Sequence, residues 1–351
     1  MIILKESNKN KWDSIVEKFK NNDIYFKSCY SLLCSLCGDG DPMLFYYEEK
    51  EAKICLVALK KDISKCRKFE NLIENNKFYD LSTPYGYSGF LVENQRKSYK
   101  FLDNFFDKFT TYCINNNIVS LFIRFHPTLQ NQCGFEKFCK IIKLKKTVYI
   151  DTENQEKIVK NISSKCRNTI RKAQKLGVKI KIDKGEDFDK FIEIYLETMN
   201  KNDANKYYYF NNEYFEYMTK NMSENLAFFY ANYKNKTIAS SIILYCKNHA
   251  HYHLSGTKSE YRNFSANDLI LFESAVWCSK NSIKNFHLGG GIDGEDNLFS
   301  FKKKFNKDGI IDFYIGKIIF DKEKFEYLIN LRIENDKNFD QNTNTIITYR
   351  G

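Results

Sequence analysis

The stretch NLAFFYANYKNKTIASSIILYCKNHAHYHLSG, residues 225–256, holds three apolar runs separated by short polar breaks. Asn225–Tyr233, Thr237–Cys246 and His249–Gly256 are rich in aromatic and β-branched side chains, the composition of strands. Lys234, Asn235 and Lys236 join the first two at hairpin length, so the stretch predicts a meander of three strands. Upstream, Ile162, Cys166, Ile170, Ala173 and Leu176 recur at helical spacing. Ser163 or Ser164 caps that helix and Gly177 stops it. Val178, Ile180 and Ile182 then alternate with Lys179 and Lys181, as in a half-buried strand. Phe188, Phe191, Ile192, Tyr195, Leu196 and Met199 mark an amphipathic helix, and Phe215 and Met218 a shorter one. Downstream come a helix over Ala266–Lys280, a strand ending at Leu288, a helix over Asn297–Phe305 and a strand over Ile310–Phe320.

A helix pair, three meandering strands, and then helix, strand, helix and strand is the element order of the GNAT acyltransferase fold. The first half repeats it less cleanly. Pro42–Glu49 and Ala52–Asp62 read as a hairpin, and Phe78–Tyr87 as a third strand. Phe101, Leu102, Phe105, Phe106, Phe109 and Cys113 mark a helix, and the strands Ile118–Phe125 and Lys146–Asp151 follow. No residue-level repeat is visible, so the duplication is one of architecture. The expected fold class is α/β with mixed sheets, built as tandem GNAT-like acyltransferase domains. Residues 1–150 form the first, 151–316 the second, and 317–351 return to complete the first.

With 43% hydrophobic and 16% aromatic residues and three prolines, the 351-residue chain is long enough for two real cores and excludes disorder. A net charge of +11 points to anionic partners: nucleic acid, phosphorylated metabolites or an anionic membrane surface touched peripherally. No apolar run reaches 18 residues, so no transmembrane segment is expected, and the apolar start of MIILKESNKNKWD is too short for a signal peptide. Eleven scattered cysteines fit reduced thiols and a cytoplasmic protein. Cys34 and Cys37 have zinc-knuckle spacing, but no second pair accompanies them, so no metal is expected there.

The other informative stretch is FHLGGGIDGEDNLFSFKKKF, Phe286–Phe305. No GK[ST] follows its glycines, which excludes a P-loop. HLGGG also suits a lipase oxyanion loop, which needs G-x-S-x-G elsewhere; GYSGF has Phe90 at the last glycine position, so a serine hydrolase is disfavoured. His249, His251 and His253 alternate on one strand, with no further ligand nearby to make a metal site; His253 is a candidate general base.

In order along the chain, STPYGYSGF, RFHP, SSKCRNTIRKAQKLGV, YHLSGT and HLGGGIDGEDNLFSFKKKF resemble the Fem-type peptidoglycan bridge-forming aminoacyltransferases and their double-GNAT relatives. The resemblance spans about residues 80–310, and the absence of a long heptad segment makes the chain similar to the short, armless members. It implies transfer of an aminoacyl or acyl group onto an amine of a UDP-linked or lipid-linked cell-envelope precursor, with aminoacyl-tRNA as donor. An acyl-CoA or acyl-carrier-protein thioester donor acting on an amino sugar is the alternative, and a non-catalytic RNA-binding protein is a second.

By position, the family's lysine that contacts the reacting carbonyl or donor end corresponds to Lys302, predicted at the start of its helix; a solvated lysine in a run of three is the competing reading. Gly289, Gly290 and Gly291 at the end of the fifth strand are expected to let the donor approach the backbone, with Phe305 on the same side; a packing role is the alternative. Lys165, Arg167 and Arg171 are assigned by the resemblance to phosphate contact, against a merely solvated face. Tyr85, Gly86 and Tyr87 with Arg124 and His126 are expected on the acceptor cleft, although aromatics buried under a turn would look the same. The CoA pyrophosphate signature of ordinary GNAT enzymes keeps Arg262 here, on the donor side, but has Ser265 and Asn267 where glycines belong.

Overall fold

In the computed structural model, which describes residues 1–94, 100–343 and 346–351, the chain divides into two units, 1–144 with 313–351 and 145–312. The first opens with β1 (Ile2–Lys5), α1 (Lys9–Val16) and α2 (Ser28–Leu36). The hairpin β2 (Asp41–Glu49)–β3 (Ala52–Asp62) follows, then β4 (Tyr79–Ser82), β5 (Phe90–Glu93), α3 (Lys100–Asn115) and β6 (Ile118–Arg124). The sheet runs β1-β2-β3-β4-β6, with β5 also on β3; β4 and β6 are parallel and the other pairs antiparallel. One face is covered by α3, whose Phe105 and Phe109 are fully buried against Phe45 and Leu121. The other face holds Leu44, Tyr46 and Val57 under Trp12, Phe19 and Phe26. Trp12 Nε1 donates to the Phe26 carbonyl at 2.8 Å, fixing the helical N-terminal segment that no sequence pattern had resolved.

The second unit contains most of β7 (Lys140–Asp151), then α4 (Gln155–Asn161), α5 (Ser164–Lys175), β8 (Lys179–Asp183), α6 (Phe188–Lys201) and α7 (Asn212–Asn221). The meander β9 (Leu226–Tyr233), β10 (Lys236–Cys246) and β11 (His249–Thr257) precedes α8 (Ala266–Lys280), β12 (Asn285–Gly290) and α9 (Asn297–Lys303). Strand order is β7-β12-β11-β10-β9-β8, with β11 and β12 parallel. Lys234 and Asn235 both have positive φ (45° and 64°), the twist a two-residue hairpin needs. The chain then returns to the first unit: β13 (Ile310–Ile319) pairs with β6 through Ile315–Ile319, and α10 (Lys322–Asn335) follows.

Two local expectations are corrected. Strand β8 is at the sheet edge, so Val178 is buried but Ile182 is 41% exposed. Helix α9 ends at Lys303 rather than at Phe305, which places Lys302 in its last turn and not at its start.

Candidate active site

The three glycines are explained by what a side chain would strike. Opposite β7, the register of β12 slips between His287 and Gly289, and Gly289 takes φ +74°. A Cβ on Gly290 would lie 2.6 Å from the Lys146 carbonyl oxygen, and one on Gly291 2.3 Å from Asp296 Oδ1. What the glycines admit in this structure is therefore the protein's own backbone and a carboxylate. That carboxylate caps α9, accepting from Phe299 N–H at 2.8 Å, and ties the turn by accepting from Ile292 N–H at 2.7 Å. These backbone donors, Phe299 first, hold the Asp296 carboxyl below its usual range.

From α9, Lys302 points back into this turn. It is 7% exposed, and its Nζ donates to the Gly290 carbonyl at 2.7 Å. Among the described residues that carbonyl is its one hydrogen-bond partner, and no carboxylate pairs with it. Burial first, and then the Lys145 ammonium, pull its pKa down to about 8. Lys145 Nζ itself donates to the next carbonyl, Gly291, at 2.8 Å. Two cations thus grip consecutive carbonyls at the end of β12.

Phe305, expected at the donor, is fully buried and meets Phe301 edge-on at 5.6 Å. Lys304, which the sequence reading passed over, is a hub: its Nζ donates to Asp268 Oδ1 at 2.6 Å and lies 4.2 Å over the Phe301 ring. Thr169 of α5 donates to the same Asp268 oxygen at 2.5 Å, so the first turn of α8 is closed by an aspartate, a threonine and a lysine. Arg262 is exposed in the turn before it, and Ser265 is left-handed at φ 56°.

His253 occupies a bulge. Ile242 pairs with Leu254 and Ile243 with Tyr252, which leaves His253 as the extra residue of β11. Its Nε2 meets the Tyr214 hydroxyl at 2.8 Å, and desolvation, with His251 nearby, pushes its pKa down to about 3. It is neutral at pH 7 and a far weaker base than an ordinary histidine.

On α5, Lys165 and Arg171 are exposed, but Arg167 is occupied. Its Nη1 donates to the Ile162 carbonyl at 2.7 Å and its Nη2 to Ser164 Oγ at 3.1 Å, so it closes the α4–α5 junction rather than facing solvent.

In the first unit the PYGYSG turn packs on residues from the N-terminal helical segment. Gly86 has φ +110°, and a Cβ there would lie 2.3 Å from the Tyr25 ring. Tyr30 donates to the Tyr85 carbonyl at 2.8 Å, and Tyr87 lies edge-on between Tyr25 at 6.0 Å and Phe313 at 5.2 Å. His126 is fully buried rather than lining an open cleft, with Nε2 2.7 Å from the equally buried Asp23. Leu129 N–H donates to its Nδ1, so Nε2 carries the proton and donates to Asp23. Arg124 is half-buried, its guanidinium 5.3 Å from the centre of the part-exposed Tyr85 ring.

Residues 160–303 match the model of the acetyltransferase (GNAT) domain. Those residues of the second unit form a GNAT domain. It is similar in structure to FemX, with a TM-score of 0.68 at 13% identity over 93% of this chain and 99% of that one. The C-terminal domain of a putative lysylphosphatidylglycerol synthetase from Agrobacterium fabrum gives 0.57 at 11% identity, over 93% and 94% of the two chains. L-PGS from Bacillus licheniformis gives 0.55 at 11% identity, over 93% and 96%. Among curated proteins none matches the sequence significantly. The α/β fold with mixed sheets expected from the sequence is the fold observed, and it is FemX-like with a GNAT domain over residues 160–303. Among the described residues no helix is long and apolar enough to cross a membrane.

Sequence reasoning missed Asp23, Tyr25 and Tyr30, Asp268 with Thr169 and Lys304, and the capping Asp296. Only the last carried a signal, a helix-capping residue just ahead of LFSF.

Proposed function

We propose that this GNAT acyltransferase moves an aminoacyl group from aminoacyl-tRNA onto an amine of a nucleotide- or lipid-linked cell-envelope precursor. The donor is held by the second unit and the acceptor by the first. One observation carries the reading: among the described residues Lys302 is a buried ammonium with a single carbonyl hydrogen-bond partner and no carboxylate in salt-bridge contact. A buried cation without a carboxylate is costly, and its two spare N–H donors are suited to an oxyanion that forms only during acyl transfer. In this reading the acceptor amine attacks the acyl carbonyl, the carbonyl oxygen takes the negative charge, and Lys302 stabilises it until the bond to the tRNA 3′ oxygen breaks and that oxygen leaves as a hydroxyl, taking the proton the amine gives up. The glycine turn fixes Lys302 through the Gly290 carbonyl. His253, neutral and weakly basic, orients Tyr214 rather than taking the amine's proton.

The likeness to FemX, to L-PGS and to the C-terminal domain of a putative lysylphosphatidylglycerol synthetase supports a donor of this class. The synthetase's name concerns a lysyl group on a phosphatidylglycerol, a lipid acceptor, whereas the Fem-type resemblance implies a peptidoglycan precursor, so the acceptor is the freer part of the proposal. An acyl-CoA or acyl-carrier-protein donor is the second reading, favoured by Arg262 and by the family model. Asp268 counts against the CoA form, since it sets a carboxylate in the first turn of α8 where a pyrophosphate would seek positive ends. The test is a donor screen: purified protein with labelled aminoacyl-tRNAs and acyl-CoAs against amine acceptors. Transfer from tRNA alone supports the proposal and transfer from CoA alone supports the second reading. RNA binding without transfer from any donor would leave a non-catalytic RNA-binding protein.

A further inference from the structure

We infer that Arg124 is the anchor for a phosphate group of the acceptor, held at the carboxyl end of the β4–β6 pair. This rests on the acceptor reading above. Strands β4 and β6 run parallel as far as Ser82 and Phe122. Residues 84–87 then leave the pairing, and the chain rejoins β6 where Ser88 bridges Phe125. Ligands of open mixed sheets bind where such strands part at their carboxyl ends. Arg124 stands in the gap, its backbone N–H donating to Thr83 Oγ1 at 2.9 Å and its carbonyl accepting from Ser88 N–H at 2.9 Å.

The side chain is boxed by rings. Its guanidinium carbon lies 5.3 Å from the Tyr85 centroid, 5.9 Å from Phe313 and 6.0 Å from Phe122. Among the described residues no carboxylate, carbonyl or hydroxyl hydrogen-bonds the guanidinium. That sets it apart from the other enclosed arginines: Arg350 makes two 2.6 Å bonds to Asp80, and Arg332 one of 2.6 Å to Asp336. Rings hold the cation in place and strip part of its water, yet they satisfy none of its five donors. A planar fork so held suits the paired oxygens of a phosphoester. Tyr85, 38% exposed and pinned through its carbonyl by Tyr30, offers a flat face beside it for a base or sugar. With Arg167 tied to backbone carbonyls, the phosphate contact sought on α5 is better supplied here.

The experiment measures binding of pyrophosphate, UDP, phosphatidylglycerol vesicles and acetate to the full chain and its Arg124→Gln, Arg124→Lys and Arg167→Gln variants. Near-ultraviolet circular dichroism confirms that each variant is folded. The expected result is binding of UDP or pyrophosphate weakened about 10- to 100-fold in Arg124→Gln, with partial recovery in Arg124→Lys, whose charge lacks the fork. Loss of vesicle binding alone in Arg124→Gln would also support the phosphate anchor and name a lipid as its source. Equal binding by wild type and Arg124→Gln, loss in Arg167→Gln alone, or binding of acetate alone would each overturn it. Transfer activity is assayed separately on wild type. Turnover with unchanged anion binding in Arg124→Gln sinks this inference only; anion binding without aminoacyl transfer sinks the functional reading and leaves the anchor.

Discussion

Replacing Lys302 by methionine separates chemistry from stability, because the two effects on stability oppose each other. A pKa of about 8 against the usual 10.5 means that burial destabilises the ammonium by about 3 kcal/mol. Methionine removes that cost, keeps most of the stem's apolar bulk, and leaves the buried Gly290 carbonyl without its donor, a loss of about 1–3 kcal/mol. The net change near pH 7 is within about 2 kcal/mol, or a few degrees in melting temperature for a unit of this size. If Lys302 faces the oxyanion, kcat and kcat/KM fall together by about 10²–10³-fold.

The pH dependence gives an independent check on the same residue. The folded protein releases the Lys302 proton near pH 8 while the unfolded chain keeps it to about 10.5, so between these values the unfolded state binds more protons. Wild type therefore gains stability relative to Lys302→Met as pH rises through that window, and the difference is flat below it. Catalysis runs the other way, since kcat should fall as the ammonium is lost above about pH 8. Single-turnover kinetics and thermal melts across pH 6–10, roughly the span of that window, measure both. A Lys302→Met variant with kcat within about threefold of wild type would refute the assignment and leave this lysine a clamp for the glycine turn.

Gly291→Ala sets a Cβ 2.3 Å from Asp296 Oδ1, so the α9 cap must shift; differential scanning fluorimetry should show a lower melting temperature, and an unchanged one would contradict the cap. With its pKa near 3, His253 does not titrate between about pH 5 and 8, so His253→Gln should keep the shape of the wild-type pH–rate profile. A new or missing limb near pH 6 would show that this histidine ionises during turnover. Asp268→Ala strands the Lys304 ammonium beside two phenylalanine rings and should cost about 3 kcal/mol in urea unfolding, whereas Asp268→Ala with Lys304→Met should recover part of it.

The second unit was legible from composition in the meander, whose strands β9 and β10 are buried on both faces, and from helical period in α5 and α6, which bury one face each. The meander, α6 and α8 fall where Leu226–Cys246, Phe191 with Tyr195, and Ala266–Lys280 predict them. The N-terminal helices were not legible, because Trp12, Phe19 and Phe26 are anchors of a short, loop-rich cap whose partners lie on β2 and β3. Their spacing reflects that tertiary surface and no helical period. The site was read by residue and missed by partner. Lys302 stood out in FKKKF, yet nothing local distinguishes it from Lys304, which pairs with an aspartate 36 residues away. In the same way, no pattern joins Asp23 to His126, and that pairing changes a cleft histidine into a buried support.

What separates these cations physically is whether the fold completes their hydrogen bonding. Lys184 is an ordinary structural case, donating to the Ser223 and Leu226 carbonyls and to the Tyr245 hydroxyl, so all three of its N–H groups are used. Lys304 and Arg350 are neutralised by aspartates, and Arg167 is spent on carbonyls that would otherwise end a helix unpaired. Folding alone accounts for each of these. Among the described residues it does not account for Lys302, buried with one acceptor, or for Arg124, half-buried among rings with none. Holding a charge stripped of water, wholly or in part, with unused donors lowers stability, and an arriving anion recovers the deficit. At Lys302 that anion would be transient, the oxygen of a tetrahedral intermediate. At Arg124 it would be permanent, a phosphate already on the acceptor. The two lie in separate units of the chain, one where β12 ends in glycines and one where β4 and β6 part. This is the division of labour expected of a two-substrate transferase, each unit keeping unused donors for an anion at the end of a strand.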